Sequence, residues 1–336
     1  MTLVSVIVPN YNYAEALPLC LKALQEQTYS PLEILVVDDG STDGSAEIAE
    51  AMGVTVIRTP NGGVSRARNL GVAHAKGDVF FFVDSDVALA PDAIELSVRL
   101  LDSDPKIGAA CGIYDAEPLI RHSRVEEYRC MQGHYWRLDS DGNVSFLFSS
   151  LCAIPRRVWE DIGPFKSADG LQEEVDYGER LSAKYDLRLD SRIRGRHDDE
   201  SELWPMLRKL FKRGRMRIPL YARRKKFAQG YESPLRAYAS IAALAGTVAL
   251  PLPLLAGAWW AAVPVGLLAA SLLLDAGMYR YVLRHRGFAF LAYYTGVHYL
   301  LNLTIASSVG VGVLHWLVSG RFRRLYDVEP VAAASF

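Results

Sequence analysis

One stretch constrains this chain more than any other: residues 80–86, which read Phe-Phe-Phe-Val-Asp-Ser-Asp. Aromatic and β-branched residues favour a strand, and an unbroken apolar run is what a strand buried on both faces requires. The run ends in two acids, Asp84 and Asp86, one residue apart. In an extended segment residues i and i+2 project to the same side. Two carboxylates on one side repel each other unless a cation or a hydrogen-bond network lies between them. A divalent ion with hard oxygen ligands is the natural partner, and such ions also bind substrate phosphates. The plainer alternative is a strand that happens to end in an acidic turn.

The residues before this stretch repeat its logic. Residues 3–8 (LVSVIV) form a short apolar run that Pro9 is expected to stop. Ala16, Leu17, Leu21 and Leu24 have helical spacing within 14–27. Residues 34–37 read as a second strand, 44–52 as a helix, 54–58 as a third strand, 64–75 as a helix and 79–83 as a fourth strand. Alternating strands and helices imply right-handed crossovers and a mostly parallel α/β sheet. Ligands bind such sheets beyond the carboxyl ends of the strands, where residues 9–12, 38–43 and 84–86 converge. Beyond about residue 102 the pattern loosens. Residues 107–114 and 144–154 read as strands, 156–162 as a short helix, 173–184 as a helix with acids in its first turn, and 187–193 as a last strand before His197.

A chain of 336 residues has room for about two domains. Its net charge of −1 excludes a global field for nucleic acid. Cys20, Cys111, Cys130 and Cys152 are far apart in sequence, which excludes a Cys-x-x-Cys zinc or redox pair and fits a reducing compartment. The N-terminus lacks the basic and apolar regions of a signal peptide, so the first domain is expected in the cytoplasm.

With these motifs in order, residues 3–214 resemble the family 2 inverting glycosyltransferases of the GT-A nucleotide-diphospho-sugar fold. The resemblance rests on Val8-Pro9-Asn10-Tyr11-Asn12, on residues 33–43 (EILVVDDGSTD), on 61–71 (NGGVSRARNLG), on the Asp84-Ser85-Asp86 triplet, on Gly163-Pro164-Phe165 and on residues 173–181 (EEVDYGERL). It implies that Pro9, Tyr11 and Asn12 flank the donor nucleotide and that Asp39 accepts the N3–H of a uracil-type base. Gly62 and Gly63 would let the backbone approach the nucleotide. Arg68 and Asn69 would contact a phosphate or an acid of the site, with Arg66 as a competing choice. Asp86 would be the principal ligand of Mn2+ or Mg2+, with Asp84 nearer the ribose or bound to the metal through water, Ser85 among the nucleotide-binding residues, and His197 as a further ligand, a nitrogen donor that tilts the choice toward Mn2+. Asp43 is the candidate cap of the following helix. The family commonly has Glu-Asp at the general base, whereas this chain aligns Glu174 there, with Glu173 before it and Asp176 after it as alternative bases. Arg180 is expected to pair with one of these acids across one turn.

The C-terminal part changes character. From 206 to 226 there are ten Lys or Arg and no acid, a pattern suited to an amphipathic interfacial helix on anionic headgroups. Residues 237–274 then carry no charge, about 57 Å if helical against a hydrocarbon core of about 30 Å. Two passes broken near 251–257 are expected. A second uncharged block spans 287–320. It is flanked by Arg280, Arg284 and Arg286 on one side and by Arg321, Arg323 and Arg324 on the other, so the positive-inside rule asks for the same side at both ends.

The expected organisation is a GT-A domain over 1–200, a basic segment over 201–235, membrane helices over 236–324 and a tail over 325–336. The expected activity is transfer of a sugar from a nucleotide-diphospho-sugar, UDP favoured over GDP, to a polyprenyl phosphate, lipid-linked sugar or glycolipid. The catalytic domain would sit on the cytoplasmic face of a multi-pass inner-membrane protein, with no nucleic-acid partner. The segment 149–154 is expected to line the acceptor pocket. A processive polysaccharide synthase is disfavoured, because residues 209–216 (KLFKRGRM) replace the family's Gln-x-x-Arg-Trp. A non-catalytic scaffold is the rival of a different class.

Overall fold

The computed structural model describes residues 1–166, 173–224 and 233–325. The basic residues Lys225 and Lys226 and the tail from 326 onward, both part of the expected organisation, lie outside the described residues. By its contacts the chain divides into two compact units: residues 1–122 with 136–199, and residues 123–135 with 200–224 and 233–325. The first stretch of one helix, Arg124–Leu138, therefore groups with the second unit, which a division at residue 200 does not anticipate.

The first unit is a mixed sheet covered by helices. Its elements are β1 (Val4–Asn10), α1 (Leu17–Gln25), β2 (Leu32–Asp38), α2 (Ser45–Ala51), β3 (Thr55–Arg58), α3 (Val64–His74), β4 (Val79–Val83), β5 (Val87–Leu89), α4 (Ala93–Ser103), β6 (Ile107–Tyr114), the last turn of the helix α5 (Arg124–Leu138), β7 (Gly142–Asn143), β8 (Leu151–Pro155), α6 (Arg156–Ile162), α7 (Glu173–Ser182) and β9 (Asp186–His197). Strand order is β3-β2-β1-β4-β8-β6-β9-β5, with β7 on β9. The strands β3-β2-β1-β4 are parallel, β8 runs antiparallel between β4 and β6, and β5 runs antiparallel to the end of β9.

The aromatic run is buried on both faces by simple alternation. Phe81 joins Val4, Val6, Val8 and residues of α1 and α4. Phe80 and Phe82 point the other way, onto Trp159 of α6, with ring centroids 6.1 and 5.6 Å apart. Burying each ring contributes about 1.5–3 kcal/mol. Gly71 lets α3 lie flat on this face, since a Cβ there would run into Ile7 and Val37.

Three expectations change here. Pro9 does not stop β1, which continues to Asn10 beside Asp38 of β2. Asn10 O accepts from Asp39 N, so by alternation the missing N–H of Pro9 points toward the β4 side, where pairing has already ended at Ile7 and Phe82. The strand expected over 144–154 is confined to Leu151–Pro155, because Leu151 to Ile154 fill the sheet between β4 and β6. All four are fully buried there. Asp84 and Asp86 do not share an extended segment: β4 ends at Val83 and the two acids sit in the turn to β5.

The second unit is helical. Beyond α5 it holds α8 (Leu203–Arg224), α9 (Pro234–Val248), α10 (Leu252–Ala256), a 3-10 turn (Ala258–Ala261), α11 (Ala262–Leu273), α12 (Ala276–Val318) and α13 (Gly320–Arg323). The chain breaks at 249–257 as the prolines suggest, ending at Gly257 with φ 107°, and α9 and α11 pack with Gly246 against Leu267 and Leu268. Helices of 15 and 12 residues are about 22 and 18 Å long, each short of the hydrocarbon core. By length and composition one described helix, Ala276–Val318, is long and apolar enough to cross a membrane. It is not straight. Gly287, at φ 75°, turns it back so that Tyr294 Oη donates to Met278 Sδ at 2.8 Å.

Candidate functional site

The ends of β1 and β2 form the first half of the site. Asn10 Nδ2 donates to Asp38 Oδ1 at 2.9 Å and to Ser45 Oγ at 2.8 Å. Asp39 is buried, and its two oxygens accept the backbone N–H groups of Gly62 and Gly63, both at 2.8 Å. The carboxylate thereby fixes the loop that enters α3, and its remaining lone pairs stay free for another donor. Gly63 has φ 88°, which suits glycine at this turn. Asn12 has φ 58° and accepts from Thr42 N at 2.8 Å through Oδ1, while Tyr11 is exposed and Pro9 buried. Asp43 accepts from Ser45 N at 3.1 Å and from Ala14 N at 2.8 Å. It therefore serves the first turn of α2, although the cap position itself is Gly44.

The second half is built around a buried arginine. Arg68, on α3, places Nη2 2.7 Å from Asp84 Oδ1 and Nη1 3.5 Å from Glu173 Oε1. Of the two contacts expected for Arg68, the described one is with acids. Burial works against its charge, and the nearby Asp84, Glu173 and Glu174 more than offset that. Burial pushes the Asp84 carboxyl up, with Arg68 opposing. Asn69 engages Phe165 through both ends of its amide, Nδ2 to O at 2.8 Å and Oδ1 from N at 3.0 Å. That bond pair ties the Gly163-Pro164-Phe165 turn to α3.

The three acids of α7 are brought to different partners. Glu173 meets Arg68. Glu174 Oε1 accepts from Ser149 Oγ at 2.8 Å, and its pKa is raised, by burial first and then by Glu173. Asp176 is held by Arg180 Nε at 2.9 Å and Lys166 Nζ at 3.2 Å, a pairing across one turn that turns it toward the Phe165 loop. Glu174 thus lies beside Arg68 and Asp84 in the electrostatics of the site, and Asp176 is occupied elsewhere.

β5 explains how His197 reaches the acid pair. Val87 opposes His197 across the antiparallel ladder, and Asp198 N donates to Asp86 O at 2.9 Å. Asp86 is buried, its Oδ2 lies 3.5 Å from His197 Nε2, and its Oδ1 has no hydrogen-bond partner among the described residues. Ser85, between the acids, is buried. Tyr114, at the end of β6, stacks on the imidazole with centroids 4.4 Å apart, and Arg137 lies 4.3 Å over the Tyr114 ring. Neither was singled out from the sequence; Tyr114 could have been found as the aromatic that ends a predicted strand. Burial works against a charge on His197, but Asp86 and Asp199 outweigh it and hold the pKa at about 10.

Among the described residues, no group of three or more His, Cys, Asp or Glu is arranged to hold a metal ion by itself. The orphaned Asp86 oxygen and the adjacent imidazole nevertheless fit an ion that completes its shell with phosphate oxygens. An imidazolium has no lone pair to give, so His197 could ligate only after losing its proton.

The sequence model of Glycosyl transferase family 2 matches residues 5–163. Glycosyltransferase GlyG of Streptococcus pneumoniae is 41% identical over 115 residues, 32% of this chain and 38% of GlyG. The uncharacterized glycosyltransferase EpsJ of Bacillus subtilis is 37% identical over 117 residues, 33% of this chain and 34% of EpsJ. The alignments therefore span little more than a third of these relatives' own length. Among solved structures, mannosyltransferase PcManGT from Pyrobaculum calidifontis, in complex with GDP-Man and Mn2+, shares the fold at TM-score 0.55 and 20% identity, covering 94% of this chain and 87% of PcManGT. Residues 5–163 thus match the model of Glycosyl transferase family 2, and the mixed sheet has the GT-A-like fold of that solved neighbour.

Proposed function

We propose that this protein transfers a sugar, with inversion, from a nucleotide-diphospho-sugar to a membrane-associated acceptor such as a polyprenyl phosphate, a lipid-linked sugar or a glycolipid. The observation that carries the reading is the buried Arg68, which joins Asp84 on the diphosphate side to Glu173 on the acceptor side and leaves Glu174 beside both.

Asp39, with lone pairs to spare, accepts the N3–H of a uracil-type base, with Tyr11 and Asn12 at the rim. PcManGT was solved with GDP-Man, so GDP-sugars belong in any donor panel. Asp86 and His197 would hold a divalent cation, whose chemistry is to neutralise charge on the departing diphosphate. Arg68 holds Asp84 in place at the donor's diphosphate. Glu174 takes the proton of the acceptor hydroxyl as its oxygen attacks the anomeric carbon in one in-line displacement. Ser149 orients the carboxylate, and burial keeps its pKa raised, which makes it a stronger base than a solvated glutamate. Glu173, paired with Arg68, and Asp176, paired with Arg180 and Lys166, keep those two acids in structural roles.

The test is nucleotide release by the full chain in native-lipid nanodiscs, with a panel of UDP- and GDP-sugars, Mn2+ and a lipid extract. Release with one donor, lost in Asp86→Ala, is expected, and the labelled lipid identifies the acceptor. Neither binding nor release with any donor would favour a non-catalytic scaffold.

A further inference from the structure

Residues 288–318 are the part of α12 that looks most like a membrane span, yet their neighbours in the second unit place charge along nearly their whole length. At the near end, Tyr128 Oη of α5 lies 2.9 Å from His298 Nδ1 and Gln132 Nε2 lies 3.2 Å from it, while Asp275 Oδ2 is 3.6 Å from His298 Nε2. The same helix α5 carries Glu127, 4.0 Å from Arg286, and Arg129, bonded to Gln132. At the far end α8 takes over. A Cβ on Gly312 would meet the backbone of Arg215, and Gly214 lies directly against Ser308. α8 bears Arg208, Lys209, Lys212, Arg213, Arg215 and Arg217.

From Tyr294, against Tyr128, to Gly312 the helix rises about 27 Å, close to the full hydrocarbon thickness of about 30 Å. A simple crossing would carry the charges of α5 or α8 into hydrocarbon, where charged side chains are costly. It would also separate Arg280, Arg284 and Arg286 from Arg321, Arg323 and Arg324, against the positive-inside tendency. α9 meets α12 steeply: Ser240 bonds Asn302 at 2.8 Å and Thr247 bonds Tyr299 at 2.6 Å. Seven residues along one helix thus correspond to three residues back along the other. The face of α12 away from α5 and α8 exposes Phe288, Leu300, Leu314, Leu317 and Val318.

We propose that residues 288–318 lie in the plane of a bilayer surface containing anionic lipid. Their exposed apolar face enters the headgroup–acyl boundary, and the basic residues at both ends stay on one side. The α9–α11 hairpin, steep to α12 and exposing Leu254, Leu255 and Trp259 at its bend, supplies the part that enters hydrocarbon. This assignment rests on the proposed function only for the presence of a membrane, and its tests need no catalysis, so either can fail alone.

The four native cysteines are buried, which permits single-cysteine reporters in the full chain. His285→Cys and Gly320→Cys, in inverted inner-membrane vesicles, are treated with an impermeant maleimide before and after detergent. Modification of both to the same extent before detergent is expected. Protection of one until detergent is added would overturn the in-plane placement. Nitroxides at Phe288→Cys, Leu300→Cys and Leu314→Cys, read for depth in vesicles of phosphatidylglycerol and phosphatidylethanolamine, keep the test independent of any one variant. Equal depth at all three supports the proposal. A depth gradient along the roughly 18 Å from 288 to 300, or nitroxides that stay in water, overturns it.

Discussion

At the ends of β1 and β2, Asp38, Asp39 and Asp43 have every carboxylate oxygen met by a donor: Asn10 and Ser41 for the first, Gly62 and Gly63 for the second, Ser45 and Ala14 for the third. At the ends of β4 and β9 the acids are partnered by charge or left short. Among the described residues, Asp84 has Arg68, Asp86 has the imidazole of His197 and one oxygen with no hydrogen-bond partner, and Glu174 has a single hydroxyl. Asp43, on one side, and Asp84 and Glu174, on the other, are shifted in opposite directions. At Asp43 burial is outweighed by hydrogen bonds from Ser45 and Ala14, so its pKa falls, whereas burial raises Asp84 and Glu174. The edge at β1 and β2 is therefore a finished hydrogen-bonded scaffold, which in the proposed function has only to receive the donor's base. The acid edge gathers buried carboxylates at low dielectric, which Arg68 and the His197 imidazolium offset and which favour cations and proton transfer.

The strongest way to break this contrast is at Glu174. Glu174→Gln keeps the side chain's size and its bond to Ser149 but cannot take a proton. A loss of about 10³-fold in kcat, within the range of general-base catalysis, with donor binding unchanged, is expected in steady-state and titration measurements. The sign in pH follows from the raised pKa. Only the carboxylate is a base, so the rate rises with pH through a value above the ordinary glutamate pKa of about 4.3. Ser149→Ala removes a bond that lowers that pKa and should move the acid limb further up. A small loss in Glu174→Gln with no acid limb would mean that the acceptor arrives already ionised, as a polyprenyl phosphate does.

The contrast was only half legible in the sequence. Local patterns found the strands and the scaffold edge: β4, β6 and α6 have the bounds expected of them, because apolar runs, turn glycines and prolines act within a few residues. The acid edge depends on meetings across the chain. Arg68 reaches Asp84 across 16 residues and Glu173 across 105, and no periodicity encodes either. β5 has three residues, too few for a pattern, yet its pairing with β9 is what sets His197 beside Asp86. Choosing among Glu173, Glu174 and Asp176 was impossible from an acid-rich helix start, since all three suit the helix dipole; only their partners tell them apart. In the second unit the reversal at Gly287 is marked by one glycine between Arg286 and Phe288, and the uncharged run around it reads as a span.

Arg68 offers the next test, because it pairs with both Asp84 and Glu173. Arg68→Met removes the charge while keeping much of the volume, leaving Asp84 and Glu173 unpaired in a buried site. A destabilisation of about 3 kcal/mol is expected, at the lower end of what breaking a buried pair costs, read as a lower midpoint of thermal unfolding in nanodiscs. Adding Glu173→Gln should recover part of it by removing one uncompensated charge. Full additivity of the two substitutions would show that the pair at 3.5 Å does not couple.

The smallest effect belongs to the scaffold edge, and its smallness is the point. Asp43→Ala removes the acceptor for Ser45 N and Ala14 N at an exposed position, so a loss of about 1 kcal/mol or less is expected, as for other helix N-terminal acceptors. Because its folded-state pKa is lowered, the Asp43 contribution is present above the ordinary aspartate value of about 3.9. It fades as pH falls through the lowered folded value. Wild type and Asp43→Ala should therefore differ in unfolding midpoint near neutrality and converge in acid. Transfer kinetics should be unmoved at either pH, since Asp43 faces a loop and a helix start and not the acids around Arg68. A kinetic defect comparable to that of Glu174→Gln would erase the distinction between the two edges, because it would make a hydrogen-bonded scaffold acid as consequential as one held in tension.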